Sequence, residues 1–324
     1  MENYLDVISR ADLRWDLFFK QVPLTFLAGA IVVAVLLWFL WKVRDQRDFI
    51  YGPKELGATN EGLKLFYGLV PAILGIHVAV ALLIHGIQGR LFSAHHILEG
   101  LAPHWIGLAE ITIALSLFYG GLTYVSAVII GLLWFLGIDL LGLRSMLESI
   151  QYLGYAAFFY LAGRGPFSID RILFPKMEPV TNYTGYALLS LRIGVGLNLI
   201  IYGLVDKLAN IPYASYFLDE RIFPNVVAIP NDIFVMFAGA GEVLAGILIV
   251  FGIFSRTTIL ITLGCMNALL TVSNWNELVD FLPLYGALAI LLVWNPSDST
   301  QKLLWVEGIR RPMPERSGRE YNGM

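Results

Sequence analysis

The sequence predicts an all-α fold: a polytopic membrane bundle of about nine transmembrane helices, one followed by two four-helix units in a parallel internal repeat. Three observations carry this expectation. The 324-residue chain is 57% hydrophobic and 15% charged, with a mean hydropathy of +0.68, whereas soluble domains are about one quarter charged. Its apolar runs are long: from Gln21 to Trp41 no residue ionises, which is enough helix to cross a hydrocarbon core about 30 Å thick. Finally, segments from the middle of the chain recur near its end.

The expected spans are 21–41, 68–88, 102–119, 122–141, 148–163, 185–206, 232–252, 257–275 and 279–294. The first follows a stretch that mixes acids and bases, unlike the basic start of a cleaved signal peptide, so it is read as a retained anchor. Leu5, Ile8, Trp15 and Phe19 can share one face of a helix lying on the membrane surface before it. The spans 102–119 and 122–141 are split by the turn GGLTY, and 232–252 and 257–275 by the turn SRTT. GLAEITIALSLFYG (107–120) aligns without gaps to GAGEVLAGILIVFG (239–252), so Glu110 falls on Glu242 and Gly120 on Gly252. The same offset carries Glu148 onto Asp280 and Gly154 onto Gly286, while IHGIQGRL (84–91) matches IYGLVDKL (201–208) at a smaller offset. The second copy therefore has a longer loop between its first two spans.

This organisation divides the chain into an N-terminal segment with the first helix (1–61), a first unit (62–182), a second unit (183–306) and a tail (307–324). A unit with an even number of spans returns to its starting side, so the two copies share one orientation. That disfavours an inverted-repeat transporter of small solutes. Lys and Arg set the sidedness. The N-terminal side holds Arg10, Arg14, Lys20, Arg90, Arg144, Lys207 and Arg221, and the opposite side holds twice as many, including Lys42, Arg44, Arg47, Lys54 and Lys64. The expectation is a prokaryotic inner (plasma) membrane, N-terminus outside and C-terminus cytoplasmic.

Several function classes are excluded by what the sequence lacks. The single cysteine, Cys265, permits no intrachain disulfide and no CxxC site, and its apolar surroundings suggest a buried small hydrophobe. There is no basic tract for nucleic acid, no nucleotide loop, no HExxH, no CxxCH and no nucleophile elbow. The partners expected are the lipid bilayer and other proteins of a membrane complex.

Ionisable residues within spans cost roughly 2.5–3.5 kcal/mol at a helix centre and mark sites worth explaining. Here they are Glu110, Arg192 and Glu242, with His77 and His85 as milder cases. Arg192 is expected about 10 Å and Glu242 about 16 Å from the cytoplasmic end of their spans, a difference an arginine can bridge. An ion pair between helices and a ligand- or proton-handling site are both open roles for them. Glu110 has no equivalent cation, because Gly75 stands where Arg192 stands in the second unit; His77 and His85 are the nearby candidates. All five histidines lie in the first unit, and His95, His96 and His104, in or beside an outer loop, are weak metal-ligand candidates against an ordinary hydrogen-bonding role.

Other residues have structural expectations. Glu148 and Asp280 begin matched spans and suit a helix N-terminus. Asn198, Asn267 and Asn274 are read as interhelical hydrogen-bonding groups, and Gly194, Gly196, Gly239, Gly241 and Gly246 as faces for close helix approach. Trp38, Trp41, Trp105, Trp275, Trp294 and Trp305 are read as interfacial anchors.

The second unit, LLSLRIGVGLNLIIYGLVDKL (188–208) followed after a loop by GAGEVLAGILIVFGIFSR, resembles the DoxX/DoxD-like family of small four-span membrane proteins. The positions that carry the likeness are Arg192, Gly194, Gly203, Lys207, Glu242, Gly252 and Arg256, and it extends more loosely to 65–165, where Gly75 and Tyr124 replace the two arginines. The resemblance implies a subunit of a respiratory or sulfur-oxidising, thiosulfate:quinone oxidoreductase-like assembly that anchors partners and offers a quinone-adjacent site. Glu242, Arg192 and Glu110 would be its candidate catalytic groups, and His77, His85 and Lys207 its candidates on the cofactor side. With no flavin, iron–sulfur or haem motif, a quinone or another chain would carry the electrons. Whether the chain itself catalyses stays open, and a non-catalytic membrane scaffold or assembly factor is the alternative.

Overall fold

A computed structural model describes residues 15–173, 183–219, 229–270, 275–294 and 299–310. Leu5 and Ile8 of the expected surface helix, Arg221, Asn274 and the tail beyond residue 310 lie outside the described residues. After a single helical turn at Trp15–Phe18, the helices are α1 (Gln21–Val43), α2 (Asn60–Ile87), α3 (Ala102–Tyr119), α4 (Thr123–Leu141), α5 (Leu143–Glu148), α6 (Gln151–Ala162) and α7 (Ile169–Leu173). They continue with α8 (Ala187–Ile201), which runs into a π-helical segment Tyr202–Leu208, then α9 (Ile211–Asp219), α10 (Asn231–Phe251), α11 (Ser255–Leu270), α12 (Trp275–Val293) and α13 (Ser299–Arg310). Among the described residues the fold is all-helical, apart from one antiparallel bridge between Arg90 and Ile97.

Five helical segments are long and apolar enough to cross a membrane: Gln21–Val43, Asn60–Ile87, Thr123–Leu141, Thr184–Leu208 and Asn231–Phe251. The stretches of the other four expected spans fold as helices α3, α6, α11 and α12, which do not reach that length and apolarity because they are shorter or carry polar residues such as Glu110, Glu277 and Asp280.

Each half of the chain pairs its first two long helices, α2 with α3 and α8 with α10. The halves then interlock, because α6 packs on α8 and α12 packs on α2. One continuous core results, drawing Leu74, Ile113, Phe158, Leu191 and Leu288 from five helices. The close approaches occur at glycines. A Cβ on Gly154 of α6 would stand 2.8 Å from the Gly194 Cα of α8, and a Cβ on Gly286 of α12 would stand 2.7 Å from the His77 ring of α2. With no water in hydrocarbon to drive association, such contact between small residues is what holds helices together. α1 stands apart from this core and packs on α10 through Trp41, Leu248, Ile253 and Phe254.

The loop after α1 is tied to the second half. Asp48 accepts hydrogen bonds from the Arg256 amide (2.8 Å) and the Thr257 amide (3.3 Å), capping α11, while Phe49 stacks on Phe254 at 4.6 Å. Asp170 does the same for α4, accepting from the Leu122 amide and from the Thr123 amide at 2.8 Å. Both turns enter their helix through a glycine and then a bulky residue in the left-handed region: Gly120 (φ 69°) with Leu122 (φ 58°), and Gly252 (φ 72°) with Phe254 (φ 43°). The carboxylate caps supply acceptors for helix-terminal N–H groups that such turns leave open.

Four expectations about individual residues are corrected here. Trp38, Trp105 and Trp275 are exposed as anchors would be, but Trp41, Trp294 and Trp305 are buried. The reason for Trp305 is that α13 folds back on α2, where its indole donates to the Thr184 carbonyl at 2.8 Å. Cys265 is exposed on α11 rather than buried. Gly241 meets nothing within 4 Å, unlike Gly194, Gly196, Gly239 and Gly246, which all lie at crossings. Glu148 ends α5 instead of beginning a span, and Asp280 stands in the second turn of α12, so neither is an N-terminal cap.

Candidate functional site

Two polar clusters lie inside the bundle. In the second half, α8 and α10 run antiparallel and cross twice, at Gly196–Gly246 and at Gly203–Gly239, where a Cβ on Gly239 would stand 2.9 Å from the Gly203 carbonyl oxygen. Between α8 and Leu208 the chain is π-helical, a geometry that widens a turn and recurs at functional sites. It lays the Lys207 Cβ against Gly239, one turn from Glu242. The Lys207 ammonium reaches along that turn and donates to Glu242 Oε2 at 2.6 Å, with the two side chains 24% and 26% exposed. Asp206, the preceding residue, lies 3.5 Å from the Arg144 guanidinium of α5. Two ion pairs thus sit side by side, one within the second half and one joining it to the first.

Lys207, not Arg192, is therefore the partner of Glu242. The crossings explain the difference. Glu242 is one turn from the Gly196–Gly246 crossing on one side and Arg192 one turn from it on the other, a separation of about 12 Å along the helices. Arg192 forms no ion pair among the described residues, and its Nε and Nη1 are buried without an acceptor. The π turn that brings Lys207 back toward α10 is not visible in hydropathy, although Lys207 was among the expected cofactor-side residues.

In the first half, Glu110 of α3 is fully buried beside the Gly86–Gly107 crossing, where a Cβ on Gly86 would stand 3.1 Å from the Glu110 Cβ. Its Oε1 accepts from the Phe92 amide at 2.9 Å, and its Oε2 has no donor. Phe92 has φ 62° in a compact loop in which the Leu91 amide donates to the His96 carbonyl (3.1 Å) and His96 Nδ1 bonds the Leu91 carbonyl (2.7 Å). Tyr152 of α6 stacks on Phe92 at 4.3 Å and donates its hydroxyl to the Phe92 carbonyl at 3.2 Å. From the other half, Asp280 accepts from the Ser93 hydroxyl and the Ala94 amide, both at 3.0 Å, and lies 2.9 Å from Nε2 of the buried His85.

His85 thus joins Asp280 rather than serving Glu110 as its ion-pair partner, and it does so because α12 of the second half packs on α2 of the first. His77 bonds its own helix, Nδ1 to the Ile73 carbonyl at 2.8 Å, and its ring covers Gly286. Of the weak metal-ligand candidates, His95 and His104 are exposed while His96 is buried in its loop. Among the described residues no group of three His, Cys, Asp or Glu side chains converges on a metal position. Asn267 does accept from the Tyr285 hydroxyl (3.0 Å), linking α11 and α12, but the fully buried Asn198 has neither amide atom partnered.

A third buried charge, Arg164, follows α6 and fills the space at Gly75. Its Nε donates to the Leu117 carbonyl (2.6 Å) and its Nη2 to the Phe118 carbonyl (3.3 Å), which closes the C-terminus of α3. Burial lowers its pKa to about 10, so it remains a cation at neutral pH and complements the helix dipole. Replacing Arg164 by Met keeps the volume but leaves both carbonyls open. The expected loss is about 2–3 kcal/mol, read as a lower thermal midpoint of the purified protein.

No curated protein and no solved structure matches the chain. Residues 187–274, which hold Arg192, both glycine crossings of α8 with α10 and the Lys207–Glu242 pair, match the DoxX family model.

Proposed function

We propose that the chain is the integral membrane subunit of a quinone-linked assembly of the respiratory or sulfur-oxidising kind, anchoring partner proteins and presenting a quinone-adjacent site at the Lys207–Glu242 pair. The observation that carries this reading is the pair itself: an ammonium 2.6 Å from a carboxylate, about one quarter exposed, at a π-helical segment inside the stretch that matches the DoxX family model. A quinone changes oxidation state with two electrons and two protons, and the electrons here come from a partner chain. Lys207 is placed to donate a hydrogen bond to a carbonyl oxygen, and Glu242 to give or take a proton at the same oxygen. The residues fit such a group because both partners remain partly exposed while their helices are held rigidly at Gly203–Gly239 and Gly196–Gly246.

The architecture supporting this role is one helix followed by two parallel four-helix units, about nine spans in all, with the divisions 1–61, 62–182, 183–306 and 307–324 and a cytoplasmic C-terminus in a prokaryotic inner membrane. Matched contacts support the repeat. Gly86 meets Gly107 as Gly203 meets Gly239, and Gly286 meets His77 as Gly154 meets Gly194. Each position in one contact corresponds to its counterpart in the other through the two sequence offsets.

Glu242→Gln tests the function. Quinone-linked turnover of the native assembly is expected to fall about 100-fold or more, with the amount of folded protein unchanged. Loss of folded protein instead would favour the scaffold alternative, and unchanged turnover with unchanged folding would remove Glu242 from both.

A further inference from the structure

The loop 90–98 is held by carboxylates from both halves of the molecule. Glu110 accepts from the Phe92 amide, and two residues later Asp280 accepts from the Ala94 amide and the Ser93 hydroxyl. His85 of α2 faces Asp280 of α12, its Nε2 2.9 Å from the carboxylate, and Glu110 of α3 lies against Gly86, the next residue of α2. Tyr152 of α6 holds the same loop from a third side, stacking on Phe92 and donating its hydroxyl to the Phe92 carbonyl. No ammonium or guanidinium pairs with Glu110 or Asp280 among the described residues, and Arg90, at the start of the loop, forms no ion pair there either. An ionised Glu110 is therefore a fully buried anion with no cation beside it among the described residues. An uncompensated buried charge is strongly disfavoured. One proton removes it, and the fully buried Glu110 Oε2, which has no donor, is the oxygen left to carry that proton.

We propose that Glu110 holds one exchangeable proton, and that this proton keeps the 90–98 loop docked between the two halves, gripped by Glu110 on one side and Asp280 on the other. The site shares no residue with the Lys207–Glu242 pair, so it stands or falls independently of the quinone reading. Losing the proton leaves like charges on the two groups that grip the loop, two residues apart. The loop then loosens at the end of the bundle where α2 meets α3. Binding is strongest at low pH and is lost as pH rises, because the proton is a ligand of the docked form.

Hydrogen–deuterium exchange on the full chain in lipid nanodiscs tests this. After correction for intrinsic exchange rates, protection of the Phe92 and Ala94 amides should fall in one step as pH rises, by up to about tenfold per unit for one linked proton. Glu110→Gln keeps an oxygen for the Phe92 amide and no titratable proton, so its protection should be independent of pH. Wild-type protection that does not change with pH, or a step that persists in Glu110→Gln, overturns the proposal. Should Glu110→Gln fail to fold, infrared difference spectra of the wild type decide. A solvent-shielded carboxylic-acid carbonyl band that disappears across the same step supports the site, and its absence overturns it.

Discussion

Gly194→Val is expected to reduce the amount of correctly assembled protein sharply. Gly194 and Gly154 bring α8 and α6 together with essentially no side chain between them: a Cβ at Gly194 would stand 2.7 Å from the Gly154 Cα. The obstructing atom is backbone, so no side-chain rotation relieves the overlap, and the helices must separate along their contact. Overpacking costs 1–3 kcal/mol where neighbours yield and more where they do not. We expect a loss above about 3 kcal/mol against a total stability of about 5–15 kcal/mol. Because α6 belongs to the first half and α8 to the second, the lesion separates the halves rather than unfolding one of them. Gly241→Ala is the matched control, since a Cβ there meets nothing within 4 Å. It should leave the amount of monodisperse protein on size exclusion unchanged, whereas Gly194→Val should shift it to aggregate.

Asp280→Leu is expected to have the second largest effect. Asp280 is a single carboxylate serving His85, Ser93 and Ala94. An apolar replacement of similar size leaves the Ala94 amide, the Ser93 hydroxyl and the His85 ring without their acceptor in a buried place. Breaking a buried pair from one side costs about 3–5 kcal/mol, and the measurement is the thermal midpoint in detergent. Asp280→Asn retains one acceptor oxygen and should recover part of the loss. A midpoint unchanged in Asp280→Leu would show that the contact between α2 and α12 is held by apolar packing alone.

How far the sequence reached can be judged from particular residues. The membrane class, the extent of the long apolar helices, the turns after Gly120 and Gly252, and the resemblance of 187–274 to DoxX proteins were all legible, because hydropathy, turn residues and short motifs are local properties. Four of the five expected crossing glycines lie at crossings, since a glycine flanked by apolar residues in a span has few other uses. Gly241 departs from this pattern because it points away from every neighbour, a matter of rotational phase. Asp280 was misjudged for a related reason. Its matched position with Glu148 suggested a shared capping role, whereas it stands inside α12 and its partners lie in the other half of the chain.

The sequence by itself determined that this is a membrane-embedded helical protein, that carboxylates stand within apolar helices at Glu110 and Glu242, and that residues 187–274 resemble DoxX proteins. Composition and period set those features without reference to what touches what. Only the tertiary structure decided that Glu242 pairs with Lys207 instead of Arg192, and that His85 answers to Asp280. It also placed one loop under two carboxylates. Those outcomes depend on the level at which helices cross and on one π turn. A shift of two helical turns, about 11 Å, separates a partner from a bystander, and nothing local in the chain specifies that distance.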